Sequence, residues 1–205
     1  MKVGIFGGTF DPPHLGHVLV AEEALRQLAL DRILFMPAGN PWMKEREGIT
    51  EVNKRVEMSV LAAEGKAKLI VSRLEADRVG PTYTTDTLLE LREQGAEEMY
   101  LIVGLDTLSG ISLWHTPEEI IEMATIVGYP RDGFEKIPAE QLEAVKEGAS
   151  SEVVLLKGPH IRISSTLIRT YVSNGCPIDG LVPANVRDYI WRKGLYGGAD
   201  ARSRN

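Results

Sequence analysis

The sequence predicts an α/β fold built on a doubly wound parallel sheet, with a small helical part at the C-terminal end. Six short apolar runs recur along the chain, near residues 3, 33, 69, 100, 125 and 153. Helix-like segments separate most of these runs, as expected when helices bury both faces of a parallel sheet. With 205 residues, of which 43% are hydrophobic, the chain can bury the core of one domain. We therefore predict a single domain over residues 1–196 and a disordered tail over 197–205.

The first apolar run leads into the segment GIFGGTFDPPHLGH, which has the features of a phosphate site. A strand over residues 3–6 is predicted to end at Gly7 and Gly8, whose missing Cβ atoms let the backbone turn sharply and approach a ligand. His14 and His17 follow on one face at the start of a helix, near its free N–H groups and the positive end of its dipole. Two imidazoles that donate hydrogen bonds can stabilise a phosphoryl group as its negative charge increases.

The loop after the second predicted strand (residues 33–36) reads PAGNPWMKEREG and is rich in Pro, Gly and charge. Doubly wound folds bind ligands at the carboxyl ends of their strands, so Asn40, Lys44 and Arg46 are candidates for binding substrate phosphate. For each of these three residues, an exposed flexible loop with ordinary charges is the alternative. Arg55 lies near the start of the next helix, predicted over 51–64, and can reach the same crevice.

Two later loops carry candidates for binding a carboxylate and an aromatic ring. After the third strand (69–72), Thr84 and Thr85 precede an apolar run and form a helix-start pattern whose hydroxyls and backbone amides can hold a carboxylate. A plain capping role for these threonines, without a ligand, is the alternative. After the fourth strand (99–103), Gly104 permits close approach of a planar ring, and Asp106 can accept hydrogen bonds from a ribose or adenine. Trp114 is either a core residue or a platform on which an aromatic ring stacks.

A second helix start follows the sixth strand (152–156). Ser164, Ser165 and Thr166 precede an apolar-periodic segment, which gathers hydroxyls and free amides at a helix N-terminus. Arg169 follows one turn later, and its guanidinium can bind two oxygens of a phosphate. By contrast, the charged stretch after the fifth strand (124–129), PRDGFEKIPAEQLEAVKEGASS, is predicted to be loop and exposed helix without chemistry. A last helix is predicted over 185–193.

Bulk composition argues against several classes of protein. A net charge of −6 disfavours general nucleic-acid binding. Cys176 is the only cysteine, so no internal disulfide is expected and a reducing compartment is favoured. No stretch approaches the ~18 apolar residues of a membrane span, and the first apolar run is interrupted too early for a signal peptide. We expect a cytoplasmic protein without nucleic-acid or membrane partners.

Together these motifs resemble those of the nucleotidylyl transferase superfamily, and within it the bacterial nicotinate-nucleotide adenylyltransferase family. GGTFDPPHLGH is similar to the strand-one motif with its HxGH, and ISSTLIR, from Ile163 to Arg169, is similar to the late phosphate-binding motif. RVGPTYTTDTL, VGLD, the region of Trp114 and the ending LVPANVRDYIWRKGLY resemble the nicotinate branch. The resemblance covers residues 2–196 and implies a Rossmann-like nucleotidyltransferase domain. In one departure, residues 41–44 read PWMK where the family often has PPHK.

The resemblance implies adenylyl transfer from ATP to nicotinate mononucleotide, which gives nicotinate adenine dinucleotide (deamido-NAD) and pyrophosphate in NAD biosynthesis. It implies Mg²⁺ held mainly by the ATP phosphates, with no metal site formed by the protein. The implied catalytic residues are His17, which stabilises the transition state, His14 and Arg169. The residues expected at the ATP site are Gly7, Gly8, Thr9, Phe10, His14, His17, Gly104, Asp106, Ser164, Ser165 and Arg169. Those expected at the nicotinate mononucleotide site are Asn40, Lys44, Arg55, Thr84, Trp114, which would stack on the pyridine, and His115.

Other functions remain open on the sequence. The same chemistry can act on nicotinamide mononucleotide or on a phosphopantetheine-like phosphate, although ISSTLIR and TYTTDTL disfavour the latter. A nucleotide-binding regulator that keeps the fold without turnover is an alternative of another class. Class I aminoacyl-tRNA synthetases share an HxGH-type motif, but this chain is short and acidic, and we find no tRNA-binding extension. A homo-oligomer is compatible with the sequence.

Overall fold

The computed structural model describes residues 1–40, 48–131, 133–158 and 162–197. Within these ranges six strands pair in parallel into one sheet, in the spatial order third, second, first, fourth, fifth, sixth. The direction of winding reverses between the first and fourth strands, so the predicted doubly wound parallel sheet is confirmed. The strands are β1 (Lys2–Gly8), β2 (Arg32–Pro37), β3 (Leu69–Val71), β4 (Glu98–Gly104), β5 (Thr125–Tyr129) and β6 (Val154–Leu155).

Helices connect successive strands and continue after the last one. The longest, which follows β1, forms where apolar residues recur at intervals of three and four, and it buries Val18, Ala21 and Ala24. The described helices are α1 (Leu15–Gln27), α2 (Val52–Ala63), α3 (Thr84–Glu93), α4 (Leu105–Leu108), α5 (Pro117–Met123), α6 (Ala139–Glu143), α7 (Ala149–Glu152), α8 (Ser165–Ser173) and α9 (Ala184–Lys193).

The two faces of the sheet belong to separate apolar clusters, because successive side chains of a strand point in opposite directions. Val3 and Ile5 of β1 pack in a cluster that includes Leu88 of α3. Phe6, the next residue after Ile5, packs in the other cluster with Ala21 of α1. Burial on both faces explains why the first strand is a continuous apolar run in the sequence.

A third apolar cluster attaches the C-terminal helices to the body of the protein. It includes Val18 of α1 and Met58 of α2, together with Ile168 of α8 and Ile190 of α9. This packing is the small C-terminal helical part that the sequence predicts. It places the first residues of α8 beside the loop that follows β1.

Several element boundaries differ from the predicted ones. β1 continues through both glycines to Gly8, and β6 is limited to Val154–Leu155 where residues 152–156 were predicted. The helices between β4 and β5 were not predicted. The single domain over residues 1–196 stays a prediction, and all of the predicted tail beyond residue 197 lies outside the described residues. In the described ranges, no helix combines the length and the apolar character that crossing a membrane requires.

Candidate active site

A cavity of about 530 Å³ opens at the carboxyl ends of β1 and β4, where the strand order reverses. Ligands of doubly wound folds bind at this place, because the loops after the two strands diverge there and leave a crevice. Of the residues predicted to act in function, twelve line its wall: Gly7, Gly8, Thr9, Phe10, His17, Thr84, Gly104, Trp114, His115, Ser164, Ser165 and Arg169.

The early and the late phosphate motifs meet directly at this cavity. Arg169 donates a hydrogen bond from Nη1 to the backbone oxygen of Asp11, at 2.8 Å. Ser165 donates its hydroxyl to the backbone oxygen of Pro12, at 2.9 Å. The Ser164 hydroxyl accepts from the Leu167 amide at 3.1 Å and so caps α8. Two sequence segments more than 150 positions apart therefore form one wall.

The two histidines form a reciprocal capping box at the start of α1. The His14 amide donates to Nδ1 of His17 at 3.2 Å, and the His17 amide donates to Nδ1 of His14 at 3.3 Å. Their rings stack with centroids 3.6 Å apart. Because each Nδ1 is an acceptor, each neutral ring carries its proton on Nε2. The capping contact therefore turns both imidazoles into Nε2–H donors.

His14 lies beneath His17, and its side chain is held in the neutral form. Burial, and secondarily the positive charge of Arg131, lower the pKa of His14 from 6.5 to about 3. Its Nε2 is buried and has no hydrogen-bond partner among the described residues. An unpaired buried donor is costly, and it is satisfied if an acceptor such as a phosphate oxygen binds there.

The sharp turn after β1 is made at Phe10 and not, as the sequence suggests, at the glycines. Phe10 has a φ of +49°, in the left-handed region that bulky residues rarely adopt, whereas neither Gly7 nor Gly8 has a positive φ. The Phe10 ring stacks on Phe35 at 3.9 Å between centroids and meets the His17 ring edge-on at 4.9 Å. Packing against these rings compensates for the backbone strain and fixes one side of the His17 imidazole.

Gly7 and Gly8 matter because a side chain at either position would occupy space, at Gly8 the space of the Phe10 ring and at Gly7 that of the cavity. A Cβ on Gly8 would lie 2.9 Å from the Phe10 ring, which is too close for carbon atoms, whereas a Cβ on Gly7 would meet no atom within 4 Å. Gly7 therefore leaves open the part of the cavity next to the end of β1.

The first amides of α1 are less available to an anion than the sequence implies. The Leu15 amide donates to the Leu181 oxygen at 3.0 Å, and the His17 amide is occupied by His14. At this helix start, the imidazole of His17 lines the cavity, whereas the Leu15 and His17 amides are already bonded within the protein. At α8, by contrast, Ser165 and Thr166 line the cavity within the first turn, where amides lack partners in their own helix.

The end of β4 places Asp106 beside a cation that the sequence reasoning missed. Arg131, two residues after β5, lines the cavity and lies 3.5 Å from the Asp106 carboxylate. The other Asp106 oxygen, Oδ1, is buried and has no hydrogen-bond partner among the described residues. Gly104 is required because a Cβ there would collide with that oxygen. The sequence reasoning named no chemistry for the stretch after the fifth strand, but Arg131 lines the cavity, and its place at the carboxyl end of a strand was the available signal.

Thr84, Trp114 and His115 meet at the other end of the cavity. Thr85, next to Thr84, donates its hydroxyl to the His115 oxygen at 2.8 Å and contacts the Thr116 hydroxyl at the same distance. Trp114 lines the cavity, and its buried Nε1 has no partner among the described residues. The predicted capping role of the threonines at the start of α3 is not observed, since that start has no side-chain cap.

Arg55 has a different place from the predicted one. Its side chain is 1% exposed and is not part of the cavity wall. It donates to three backbone oxygens, those of Thr9 at 2.7 Å, Thr50 at 2.8 Å and Gly39 at 3.3 Å. All three nitrogens of the guanidinium donate to backbone oxygens. Arg55 thus holds together the loops after β1 and β2 from inside the protein and does not face the cavity.

The remaining candidates belong to the loop after β2. The backbone of Asn40 exchanges hydrogen bonds with Thr82: its N–H donates to the Thr82 hydroxyl, and its carbonyl oxygen accepts from the Thr82 backbone N–H, both at 3.3 Å. Thr82 itself lines the cavity, so Asn40 lies one residue behind the wall. Lys44 and Arg46 lie outside the described residues.

Comparison with known families agrees with this geometry. The model of one family, described as cytidylyltransferase-like, matches residues 5–171. Of the curated relatives, a "Probable nicotinate-nucleotide adenylyltransferase" of Dehalococcoides mccartyi is 40% identical over 198 residues, which cover 96% of this chain and 97% of the relative. The chain belongs to this family, and within it to the nicotinate-nucleotide adenylyltransferases. It is thus a nucleotidyltransferase.

Other relatives and structures give the same picture. A relative with the same description in Geobacillus kaustophilus is 41% identical, over 96% of this chain and 86% of its own length. Among solved structures, nicotinic acid mononucleotide adenylyltransferase of Plasmodium falciparum, complexed with NaAD, has a TM-score of 0.77 and covers 95% of this chain and 97% of its own. At 22% identity that likeness establishes the fold alone.

Proposed function

We propose that this protein transfers the adenylyl group of ATP to nicotinate mononucleotide, giving nicotinate adenine dinucleotide and pyrophosphate in NAD biosynthesis. The observation that carries the proposal is the direct bonding of the HxGH loop to the start of α8 at one end of a single cavity. The other end holds an aromatic platform and an uncapped helix start. One end suits a triphosphate and the other a pyridine carboxylate.

Chemically, the reaction needs positioning and charge stabilisation. An oxygen of the mononucleotide phosphate, already anionic at neutral pH, attacks the α-phosphorus of ATP. The new oxygen–phosphorus bond forms while the bond to the β-phosphate oxygen breaks, and pyrophosphate leaves with the electron pair. No proton has to be removed from the nucleophile, so no general base is required.

The proposed roles follow from the donors on the wall and from His14, which is buried behind it. His17, through Nε2–H, stabilises charge on the α-phosphoryl group in the transition state, and His14 supplies the second Nε2–H donor. Arg169, with Ser164 and Ser165, holds the β- and γ-phosphates of ATP. These donors interact more strongly with the phosphates as negative charge accumulates in the transition state, and this difference lowers the activation barrier of adenylyl transfer.

We propose that a divalent ion enters this site as a companion of the nucleotide. Among the described residues, no three His, Cys, Asp or Glu side chains are grouped to hold a metal ion. We therefore propose that Mg²⁺ takes its ligands mainly from phosphate oxygens and water, the arrangement that suits this ion. When bound, it neutralises phosphate charge, while the protein's own donors orient the reacting groups.

The end of the cavity near α3 supports an acceptor with a carboxylate. The positive end of the α3 dipole lies at Thr84, and the Tyr83 N-cap provides no side-chain acceptor. We propose that Trp114 stacks on the pyridine and that backbone amides near Thr84 and His115 bind its carboxylate. Gly104 and Asp106 would then bind the adenosine. The hydrogen bond between Thr85 and the His115 oxygen holds these two segments together.

The decisive experiment compares acceptors. The purified chain is incubated with ATP and Mg²⁺ and with either nicotinate or nicotinamide mononucleotide, and pyrophosphate and dinucleotide are quantified. We expect dinucleotide with the acid and a kcat/KM for the amide at least about tenfold lower, because a carboxylate gains more from a helix N-terminus than a neutral amide does.

Each other outcome identifies a different function. Faster reaction with the amide would assign nicotinamide mononucleotide as the acceptor. ATP binding without pyrophosphate from either mononucleotide, or from phosphopantetheine, would favour a regulator that binds nucleotide without turnover. A cytoplasmic location and assembly into a homo-oligomer stay predictions, to be checked by cell fractionation and by light scattering.

A further inference from the structure

We propose that Tyr196, from the C-terminal end of the chain, is a positioning residue for the phosphate site, which it controls through Asp11. The inference deepens the proposed adenylyl transfer and rests on it. Tyr196 does not line the cavity. Its influence would reach the nucleotide through the loop after β1 and through Arg169.

Asp11 is the residue at which the contacts converge. It is 3% exposed, and both oxygens of its carboxylate are used. Tyr196 donates its hydroxyl to Oδ1 at 2.6 Å, and the Thr50 amide donates to Oδ2 at 3.0 Å. The backbone oxygen of the same residue accepts Nη1 of Arg169 at 2.8 Å. One aspartate therefore connects the loop after β1, the approach to α2, α8 and the C-terminal segment.

The contact between Tyr196 and Asp11 is strong and costly to lose. A buried carboxylate is an acceptor only, and its stability depends on the donors that face it. Burial and the Asp11 charge raise the pKa of Tyr196, so the phenol keeps its proton and remains a donor. Without this hydroxyl, Oδ1 loses its donor in a place that solvent hardly reaches, and the Asp11 side chain is expected to reorient.

Reorientation of Asp11 would move Arg169. The guanidinium of Arg169 is held at two points, by the Asp11 oxygen through Nη1 and by the Thr166 hydroxyl through Nη2 at 3.2 Å. If the Asp11 backbone shifts, the first of these points shifts with it. Small displacements of a group that positions a phosphate strongly reduce the rate, because the reacting atoms must be aligned.

The backbone conformation of residues 194–196 places the Tyr196 hydroxyl next to Asp11. Gly194 ends α9 in the left-handed conformation, with a φ of +58°, and Leu195 then packs on the third apolar cluster. Tyr196 is itself left-handed, with a φ of +61°. A non-glycine residue in this region is uncommon, and strain of this kind persists when surrounding contacts fix it. Here the surrounding contacts are the hydrogen bond to Asp11 and the packing of Tyr196 on the third apolar cluster.

The test uses Tyr196→Phe, with Tyr189→Phe as the matched control. Tyr189 lies in α9 and donates its hydroxyl to the Glu57 carboxylate at 2.7 Å, outside the cavity wall. Each variant therefore removes one tyrosine–carboxylate hydrogen bond from the same region. We expect Tyr196→Phe to lower the thermal midpoint more than Tyr189→Phe, because Asp11 is buried whereas Glu57 is exposed and can bind water instead. Only Tyr196→Phe should lower kcat/KM for ATP, by about 10- to 100-fold, while the KM for nicotinate mononucleotide stays within about twofold, because Arg169 is assigned to ATP.

A double-mutant cycle with Arg169→Ala separates positioning from general weakening. If Tyr196 acts through Arg169, Tyr196→Phe should have little further effect on kcat/KM once Arg169 is truncated. Equal activity of Tyr196→Phe and Tyr189→Phe would overturn the inference. So would effects of Tyr196→Phe and Arg169→Ala that simply multiply.

The wild-type reaction distinguishes this inference from the function on which it rests. Absence of dinucleotide from the wild-type protein would refute the proposed function. The dissociation constant of ATP, measured by calorimetry, would then still decide about Tyr196: weaker binding in Tyr196→Phe than in Tyr189→Phe supports the positioning role, and equal binding refutes it.

Discussion

At the scale of single residues, the histidines of the HxGH segment show how a capping contact sets chemistry. Each Nδ1 accepts a backbone N–H, so neither imidazole can use that atom as a base. The side chains are thereby fixed as donors from Nε2. Donors are what a reaction with an anionic nucleophile and an anionic leaving group requires.

Replacing His17 tests that assignment. We expect His17→Ala to lower kcat by about 10²- to 10⁴-fold, the effect of removing one preorganised charge stabiliser, with a smaller change in the KM for either substrate. Steady-state kinetics measure this, and circular dichroism checks that the fold is retained. Wild-type turnover in this variant would remove His17 from the mechanism.

The neutral state of His14 makes stability depend on pH. Its pKa is about 3 in the folded protein against an ordinary value of 6.5, so between these values the unfolded chain binds a proton that the folded chain does not. The free energy of unfolding should therefore fall as the pH is lowered from about 6.5, with a contribution of up to about 1.4 kcal/mol per pH unit. Urea titrations at pH 7, 6 and 5 measure this slope.

A variant isolates the contribution of His14. His14→Asn keeps an acceptor suited to capping α1 but removes the titrating group. Its stability should decline less steeply with falling pH than that of the wild type. Equal slopes for the two proteins would show that other groups cause the dependence.

At the scale of elements, close approach between loops decides which glycines are essential. Gly39, after β2, faces the segment after β3, where its missing Cβ leaves room for the backbone oxygen of Glu75. Backbone cannot move aside as a side chain can. Gly7, at the end of β1, has open space instead. Gly39 therefore permits the close packing of two loops, whereas Gly7 keeps cavity space open.

Alanine substitution should separate these functions. Gly39→Ala is expected to lower the thermal midpoint by several degrees, because the two loops must separate by roughly an ångström, a strain of about 1–3 kcal/mol. Gly7→Ala should leave the midpoint nearly unchanged and weaken ATP binding, because its methyl group occupies cavity space. Thermal melts and calorimetric titration with ATP give the two readouts, and a reversed pattern would contradict the geometry.

At the scale of the whole molecule, the site depends on a buried polar network that joins distant parts of the chain. Arg55 binds the backbone at Thr9, Gly39 and Thr50, and Asp11 binds the Thr50 amide and Tyr196. Thr50 is thus held at both its amide and its oxygen. Such networks are stable when all their members are satisfied and fragile when one is removed.

Removing the cation of this network should destabilise the entire protein. Arg55→Met keeps much of the side-chain volume but removes the buried cation and the three hydrogen bonds that it donates to the backbone, and we expect a loss of about 3 kcal/mol or more in the free energy of unfolding. Arg73→Met is the control, because Arg73 pairs with Asp77 at the exposed surface. Urea unfolding of both variants should show a large change only for Arg55, and equal changes would refute a structural role for the network.

The sequence made local features predictable and left long-range contacts open. The sheet, the capped start of α8 and the HxGH segment were readable because each depends on residues close together in the chain. The place of Arg131 and the role of Arg55 could not be predicted in this way. Other segments of the chain form the cavity that Arg131 lines and supply the backbone oxygens that Arg55 binds. The turn at Phe10 was assigned to the glycines because packing on Phe35, 25 positions later in the sequence, outweighs the local backbone preference.

The amino-acid sequence by itself determined the order of the strands, the two phosphate motifs and the family, because hydrophobic period, capping residues and motifs are local properties. The tertiary structure decided which candidates meet. It joined Arg169 to Asp11 across 158 positions and Tyr196 to Asp11 across 185, and it moved Arg55 below the cavity. The physical reason is that a hydrogen bond requires its two atoms to be within about 3 Å, and only the packing of β1, α8 and α9 brings these atoms together.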